Sequence, residues 1–150
     1  MTKVFILAAT LVVILAGVYY MDVRGRESQK SVMRLKDTVI TVEVADTVAK
    51  QILGLSGRKS LCKDCGMVFA YRNPEIRTFN MRGMKFPLDM IFIRDGTIVE
   101  MRLNIPVPLP DRQPVSVQSR EDADMVVEVN AGFVFDHNLK IGDEAVRGGI

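Results

Sequence analysis

The chain has few of the residues that carry most metal and nucleophilic chemistry, with one histidine and two cysteines among its 150 residues. A zinc site within one chain would need more ligands than two thiols and a distant His137 can supply. No recognisable triad pattern ties His137 to a serine or a second nucleophile. Its position near the end of a predicted short helix, where a cation suits the helix dipole, is the simpler interpretation.

Three further absences narrow the class of protein. The formal net charge of +2 is too close to balance to indicate a nucleic-acid partner. The chain has neither a glycine-rich phosphate loop nor an alternating βαβ pattern, which argues against a dinucleotide-binding fold. It also has no internal repeat and no low-complexity run. We therefore expect no metal, no cofactor and no nucleic-acid partner.

One long apolar block stands near the N-terminus. Val4–Met21 contains 18 residues and no charge, so as a helix it nearly spans a hydrocarbon layer of about 30 Å. A cleaved signal peptide is the alternative, but bulky Val18, Tyr19 and Tyr20 follow Gly17 and make a poor cleavage site. The sequence predicts an uncleaved transmembrane anchor over residues 4–21, with the membrane as a partner.

The orientation of this anchor has two opposing indications. Lys3 lies before the block, whereas Arg24, Arg26, Lys30, Arg34 and Lys36 follow it. By the positive-inside rule this count places the globular part in the cytoplasm. A short basic N-terminus before an apolar helix is, however, the usual form of an exported domain. Our expectation is a single-pass protein of the cell membrane whose globular domain is extracytoplasmic.

The rest of the chain divides into a linker and one domain. Residues 22–37 are polar and mixed in charge, which predicts a juxtamembrane linker, and residues 38–150 form the globular domain. Thr38–Val44 alternates apolar and polar residues as a half-buried strand does. Thr47 or Asp46 can cap a short helix that we expect to stop at Gly57.

The second half of the domain contains the clearest local signal. Asp95 and Gly96 separate two strand-like runs, Leu88–Arg94 and Thr97–Asn104, and this pair favours a tight hairpin turn. A second short helix is predicted over Phe133–Asn138. Short strands with two short helices predict a mostly β (α+β) fold, a small barrel-like or rolled antiparallel sheet, preceded by one transmembrane helix.

Three segments in this order and spacing resemble an uncharacterised family, domain of unknown function 192, also called uncharacterised protein family 0127. The motifs are GMVF at 66–69, FNM at 79–81 with PLDMIFI at 87–93, and VEVNAG at 127–132 with IGD at 141–143. The resemblance covers residues 38–147. It implies a compact β-rich domain, often exported or membrane-tethered, and it implies no activity.

The two cysteines, Cys62 and Cys65, form the sharpest chemical motif in the sequence. Two thiols with this spacing can form a redox-active disulfide where a helix N-terminus lowers the pKa of one thiol. The predicted helix ends before the pair, so a structural loop disulfide is the leading interpretation. Free thiols, thiol–disulfide catalysis and a metal half-site shared between two chains remain open alternatives.

A set of polar residues near the hairpin forms the candidate ligand site: Arg77, Asn80, Arg82 and Asp89. Asp89 stands between Leu88 and Met90, where an ionised carboxylate is costly unless it is paired. It could orient a ligand or act as a general base, or it could simply accept backbone N–H groups. The arginines could hold a carboxylate or phosphate, or could be solvated loop charges. Asn80 could orient a ligand or complete a turn.

Three classes of function follow from these residues. The prediction is a membrane-anchored β-rich domain that binds a small ligand or a protein partner. The rival is an enzyme that uses Cys62 and Cys65 for thiol–disulfide exchange, or Asp89 for acid–base chemistry. A structural or assembly module without a ligand is the third. A pocket that gathers Asp89, Asn80 and an arginine would favour binding or catalysis.

Overall fold

The structure, a computed structural model, describes residues 29–148, which form nine strands and two short helices. The strands are β1 (Lys30–Leu35), β2 (Thr38–Ala45), β3 (Cys65–Glu75), β4 (Thr78–Asn80), β5 (Leu88–Arg94), β6 (Thr97–Ile105), β7 (Ser116–Gln118), β8 (Ala123–Asn130) and β9 (Ala145–Arg147). The helices are α1 (Val48–Leu53) and α2 (Phe133–Asp136). The prediction of a mostly β fold with two short helices is confirmed.

Seven strands form one curled sheet in the order β6-β5-β8-β3-β2-β1-β9, and β4 pairs with β7 separately. The two edges of the large sheet meet at one end, where Thr97 bridges Glu144 and the Ala145 amide donates to the Gly96 carbonyl at 2.8 Å. The barrel-like prediction therefore holds. The sheet is not purely antiparallel, because the α1 connection makes β2 and β3 parallel neighbours.

Strand β1 corrects the predicted linker over residues 22–37. Lys30–Leu35 pairs with β2 on one side and with β9 on the other. Met33 and Leu35 point into the core and are fully buried, while Val32 and Arg34, which alternate with them, face outward. Alternation of buried and exposed residues is typical of a strand, but the charged residues on either side of this short segment gave it the composition of a polar linker.

No helix among residues 29–148 is long and apolar enough to span a membrane. The predicted anchor over residues 4–21 lies outside the described residues, so its transmembrane character stays a prediction.

The hairpin and helix signals give local structure close to that predicted. Asp95 and Gly96 have φ values of 50° and 74°, as a type I′ turn between β5 and β6 requires. Thr47 caps α1, since its hydroxyl accepts a hydrogen bond from the Lys50 amide. The helix ends before Gly54, which has φ of 51°, three residues earlier than the expected stop at Gly57.

The sheet carries a separate apolar core on each of its faces. The inner core includes residues of both edge regions, such as Met33, Ile98 and Ala145, together with Phe133 of α2. The outer core lies beneath the β4–β7 pair and the loops that follow α1 and β4, and it includes Phe69, Met90 and Val126. Because side chains alternate along a strand, neighbouring residues of β5 and β8 belong to different cores.

Candidate functional site

A cleft of about 410 Å³ opens on the outer face of the sheet, and we call it the Glu128 cleft. Its floor is formed by Glu128 of β8 and Phe69 of β3. One wall is α1 with the loop after it, and the opposite wall is β4 with the loop that contains Arg82. The described lining residues are Val48, Gln51, Ile52, Leu53, Gly54, Leu55, Ser56, Phe69, Tyr71, Thr78, Phe79, Asn80, Arg82, Met84 and Glu128.

The register of β8 places the Glu128 side chain at the floor of the cleft. Glu128 lies opposite Met67 of β3 and Met90 of β5, both of which belong to the outer core. Only 5% of the residue is exposed, and its Oε2 atom has no hydrogen-bond partner among the described residues. Burial raises the pKa of Glu128 from its usual 4.5 to about 8. The cleft therefore has a carboxyl at its base that is protonated at neutral pH.

Two other buried carboxylates show how this fold ordinarily satisfies such a group. Asp89 accepts hydrogen bonds from the amides of Asn104 at 2.8 Å and Val134 at 3.1 Å. Glu100 accepts from the amides of Arg120 and Glu121, and it pairs with the Arg102 guanidinium at 2.8 Å. Glu128 has no comparable donor in the described part of the chain, so its carboxyl group makes no hydrogen bond that would stabilise the fold.

Aromatic side chains surround the Glu128 carboxyl. The rings of Phe69 and Phe79 meet edge to face, with centroids 5.0 Å apart. Burial raises the pKa of the Tyr71 hydroxyl, with the Arg77 charge opposing this rise and the Glu128 charge adding to it. The Arg77 guanidinium carbon lies 3.8 Å from the centre of the Tyr71 ring. Tyr71 thus stands between an arginine behind it and the cleft in front of it.

The mouth of the cleft is formed by α1 and by two loops that are bonded to each other. The Ser56 hydroxyl donates to the Arg82 carbonyl at 2.6 Å, which joins the two walls. Helix α1 has no buried residue: Val48 and Ile52 are 71% and 80% exposed. Gly54 keeps the space above the floor open, since a Cβ there would lie 3.9 Å from Glu128 Oε2.

The structure brings together two of the four predicted ligand residues. Asn80 and Arg82 both line the Glu128 cleft, and the Asn80 side chain also accepts the Arg82 amide at 3.0 Å. Arg77 stays behind Tyr71, where it donates to the carbonyls of Asn73 and Ala123. Asp89 points to the opposite face of the sheet, because it precedes Met90 by one position in β5. Asp89 therefore does not share a pocket with Asn80 and an arginine.

A disulfide joins Cys62, in the turn before β3, to Cys65, the first residue of that strand, with Cα atoms 5.2 Å apart. The Cys65 amide donates to the Cys62 carbonyl, and the Asn130 side chain donates to the same carbonyl at 3.0 Å. A strand follows the pair, so no helix N-terminus activates either sulfur here. Across residues 29–148, no three histidine, cysteine or acidic side chains gather as a metal site would require.

Glu128 is the site residue that sequence reasoning missed. The sequence does contain a signal for it, because valines occupy positions on both faces of the strand: Val126 on the same face as Glu128, and Val127 and Val129 on the other. A strand with apolar residues on both faces is buried on both faces, so a carboxylate within it is buried as well. The same argument drew attention to Asp89, but alternation alone does not say which face of the sheet carries a cleft.

A rolled β-sheet with an unpartnered carboxyl beneath a lateral cleft defines a small β-rich domain with one candidate binding site. The chain belongs to the family of uncharacterised proteins described as Uncharacterized ACR, domain of unknown function 192, which it matches over residues 31–146. The resemblance found in the sequence is thereby confirmed. None of the curated proteins matches the chain significantly.

Two solved structures share the fold. A protein from Sinorhizobium meliloti 1021, described as a candidate transcription regulator, is 32% identical, with 82% of this chain and 97% of that chain covered and a TM-score of 0.73. A protein of unknown function from Novosphingobium aromaticivorans DSM 12444 is 26% identical, with 81% and 87% covered and a TM-score of 0.74.

Proposed function

We propose that this domain is a binding module that takes a small organic molecule into the Glu128 cleft. The observation that carries the proposal is the buried Glu128 carboxyl, which faces this space without a hydrogen-bond partner among the described residues. Burying an unsatisfied polar group costs free energy, and the fold pairs its other buried carboxylates with backbone amides. A ligand that bonds to Glu128 would recover this cost.

The size and lining of the cleft support a small molecule in preference to a protein partner. Its volume of about 410 Å³ falls within the usual range for ligand pockets, about 300–1,000 Å³. Its lining combines aromatic and apolar side chains with polar ones such as Thr78, Asn80 and Arg82, and placed polar groups of this kind fix the orientation of a bound small molecule. The described residues that line the cleft include no cysteine or serine paired with a histidine, so we propose binding and not acyl-transfer chemistry.

Filling the cleft tests this proposal. Thr78 lines the cleft, whereas its cross-strand neighbour Gln118 is equally exposed and lies outside it. Small-molecule fragments that bind the full-length chain should lose at least about tenfold in affinity in Thr78→Trp, because the indole occupies their space, and should keep their affinity in Gln118→Trp. Calorimetric titration of the two variants measures this difference. Equal binding to both variants would place the ligand elsewhere, and the absence of any binder would favour a structural module.

We propose in addition that residues 4–21 anchor the domain to the membrane, with the globular part outside the cytoplasm. The uncharged 18-residue block supports the anchor. The Cys62–Cys65 disulfide supports an oxidising compartment.

Intact mass of the membrane-extracted protein should include residues 1–21, and protease added to right-side-out membrane vesicles should digest the domain. Both results follow from an uncleaved anchor whose C-terminal side faces outward. A soluble chain that begins near residue 22 would contradict the anchor. A domain that stays intact until the vesicles are lysed would contradict the orientation.

A further inference from the structure

We propose that the molecule bound in the Glu128 cleft carries a protonated amino group that pairs with the Glu128 carboxylate. This inference rests on the proposed function and specifies the chemical class of its ligand. Three features of the cleft support it: the absence of hydrogen-bond donors to Glu128, the aromatic surfaces near this residue, and the distribution of charge between the floor and the mouth of the cleft.

The first feature is the absence of donors. An ionised carboxylate accepts about four hydrogen bonds and offers none. Asp89 and Glu100 receive theirs from backbone amides, and Glu100 also forms an ion pair with Arg102. Neither a hydrogen bond nor an ion pair joins Glu128 to any residue between 29 and 148 in this way. An ammonium group brings three donors and the opposite charge to one point, so it is the most complete partner for this carboxylate.

The second feature is the aromatic lining. Phe69, Tyr71 and Phe79 line the same cleft as Glu128, and ring faces attract cations. The site already shows this preference, because the Arg77 guanidinium lies 3.8 Å from the centre of the Tyr71 ring. Arg77 itself does not reach Glu128, since its N–H groups are bonded to Ala123, Asn73 and Glu75.

The third feature is the contrast between floor and mouth. The charged and titratable side chains that line the cleft are Glu128 at the floor, Tyr71 beside it and Arg82 at the exposed mouth. Arg82 repels a second positive charge at the outer end of a ligand, while Val48 and Ile52 of α1 offer an apolar surface there. A monoamine with an apolar body fits this arrangement, because its ammonium group pairs with Glu128 at the floor while its apolar part contacts Val48 and Ile52 at the mouth.

This pairing has a distinctive dependence on pH. An ammonium ion requires ionised Glu128, so its affinity should rise with pH as the buried carboxyl loses its proton. The amine stays protonated over the same interval, because alkylammonium groups titrate near about pH 10. Neutral ligands should show no such rise, and a ligand anion should bind less well as Glu128 ionises.

The test uses three probes of matched size, n-butylammonium, butan-1-ol and butyrate, titrated against the full-length chain at pH 6 and pH 8.5. We expect n-butylammonium to bind at least about tenfold more tightly than butan-1-ol at pH 8.5, and its affinity to rise about 75-fold between the two pH values, in step with the ionised fraction of a carboxyl whose pKa is about 8. Glu128→Gln should remove both effects. Glu121→Gln, which removes an exposed charge outside the cleft, should leave them unchanged.

Each contrary outcome has a definite meaning. Preferential binding of butan-1-ol or butyrate, lost in Thr78→Trp, would overturn the amine inference and leave the cleft as a binding site. Binding of n-butylammonium that Glu128→Gln does not weaken would also overturn it. If none of the three probes binds, the inference fails, and the fragment titrations with Thr78→Trp and Gln118→Trp decide separately whether the cleft binds any molecule.

Discussion

A chain that begins at residue 38 is expected to lose cooperative unfolding, whereas a chain that begins at residue 22 is expected to keep it. The two differ by strand β1, which lies between β2 and β9 in the sheet. Without β1, Met33 and Leu35 leave the inner core, and β2 loses one of its two neighbours. Loss of a buried side chain of this size costs about 2–5 kcal/mol, so two such losses approach the whole stability of a small domain, about 5–15 kcal/mol.

Thermal unfolding followed by circular dichroism measures this difference. Within the longer chain, the double variant Met33→Ala/Leu35→Ala should destabilise the domain by several kcal/mol, while Val32→Ala, at a half-exposed position of the same strand, should cost about 1 kcal/mol or less. Identical sharp transitions for the chains that begin at residues 22 and 38 would show that β1 is dispensable.

The elements that could be predicted from the sequence are those defined by a few neighbouring residues. The β5–β6 hairpin follows from Asp95 and Gly96, which adopt positive φ at low cost. The start of α1 follows from Thr47. Strand β1 could not be separated from the linker, because its two buried apolar residues, Met33 and Leu35, stand among the charged residues Lys30, Arg34 and Lys36. The parallel pairing of β2 and β3 depends on where the chain returns after α1, which no local pattern encodes.

The candidate site could be predicted only in part, because its position also depends on contacts between residues far apart in the sequence. Asn80 and Arg82 were singled out as polar residues beside an apolar strand, and both line the cleft. Asp89 and Glu128 give the same local signal, a carboxylate inside an apolar strand. The pairing of β5 with β8 places Asp89 opposite Val129 and Glu128 opposite Met90, so the two carboxyls lie on different faces. That pairing is a long-range contact, and only the fold shows that the cleft is on the side of Glu128.

The stability of the unliganded protein is expected to fall as the pH rises from about 5 to about 8, because Glu128 must be buried without a partner. Its pKa is about 8 in the folded protein and 4.5 in an exposed chain. Between these values the unfolded chain has released the proton while the folded protein still holds it. The folded state binds more protons, so the free energy of unfolding decreases with rising pH. The full pKa difference corresponds to a loss of about 5 kcal/mol above pH 8.

Replacing Glu128 and Asp89 in turn by the matching amide distinguishes a buried carboxyl without a partner from one that accepts backbone hydrogen bonds. Glu128→Gln keeps the volume and removes the ionisable group, so this contribution to the pH dependence should disappear. The variant should be more stable than the parent at pH 8.5 by several kcal/mol. Asp89→Asn should behave in the opposite way, because Asn104 and Val134 donate to different oxygens of Asp89 and the variant replaces one of these acceptors by an NH2 donor. It should cost about 1–3 kcal/mol.

Urea unfolding of the parent and the two variants at pH 5, 6, 7 and 8.5 gives the required free energies. Glu128→Gln should flatten the decline between pH 5 and 8.5, and Asp89→Asn should lower the free energy of unfolding. A parent protein whose stability is constant over this range would mean that Glu128 is hydrated or paired in solution. If Glu128→Gln destabilised the domain as much as Asp89→Asn does, Glu128 would be a structural hydrogen-bond acceptor, and the cleft would lose the polar group on which its proposed function depends.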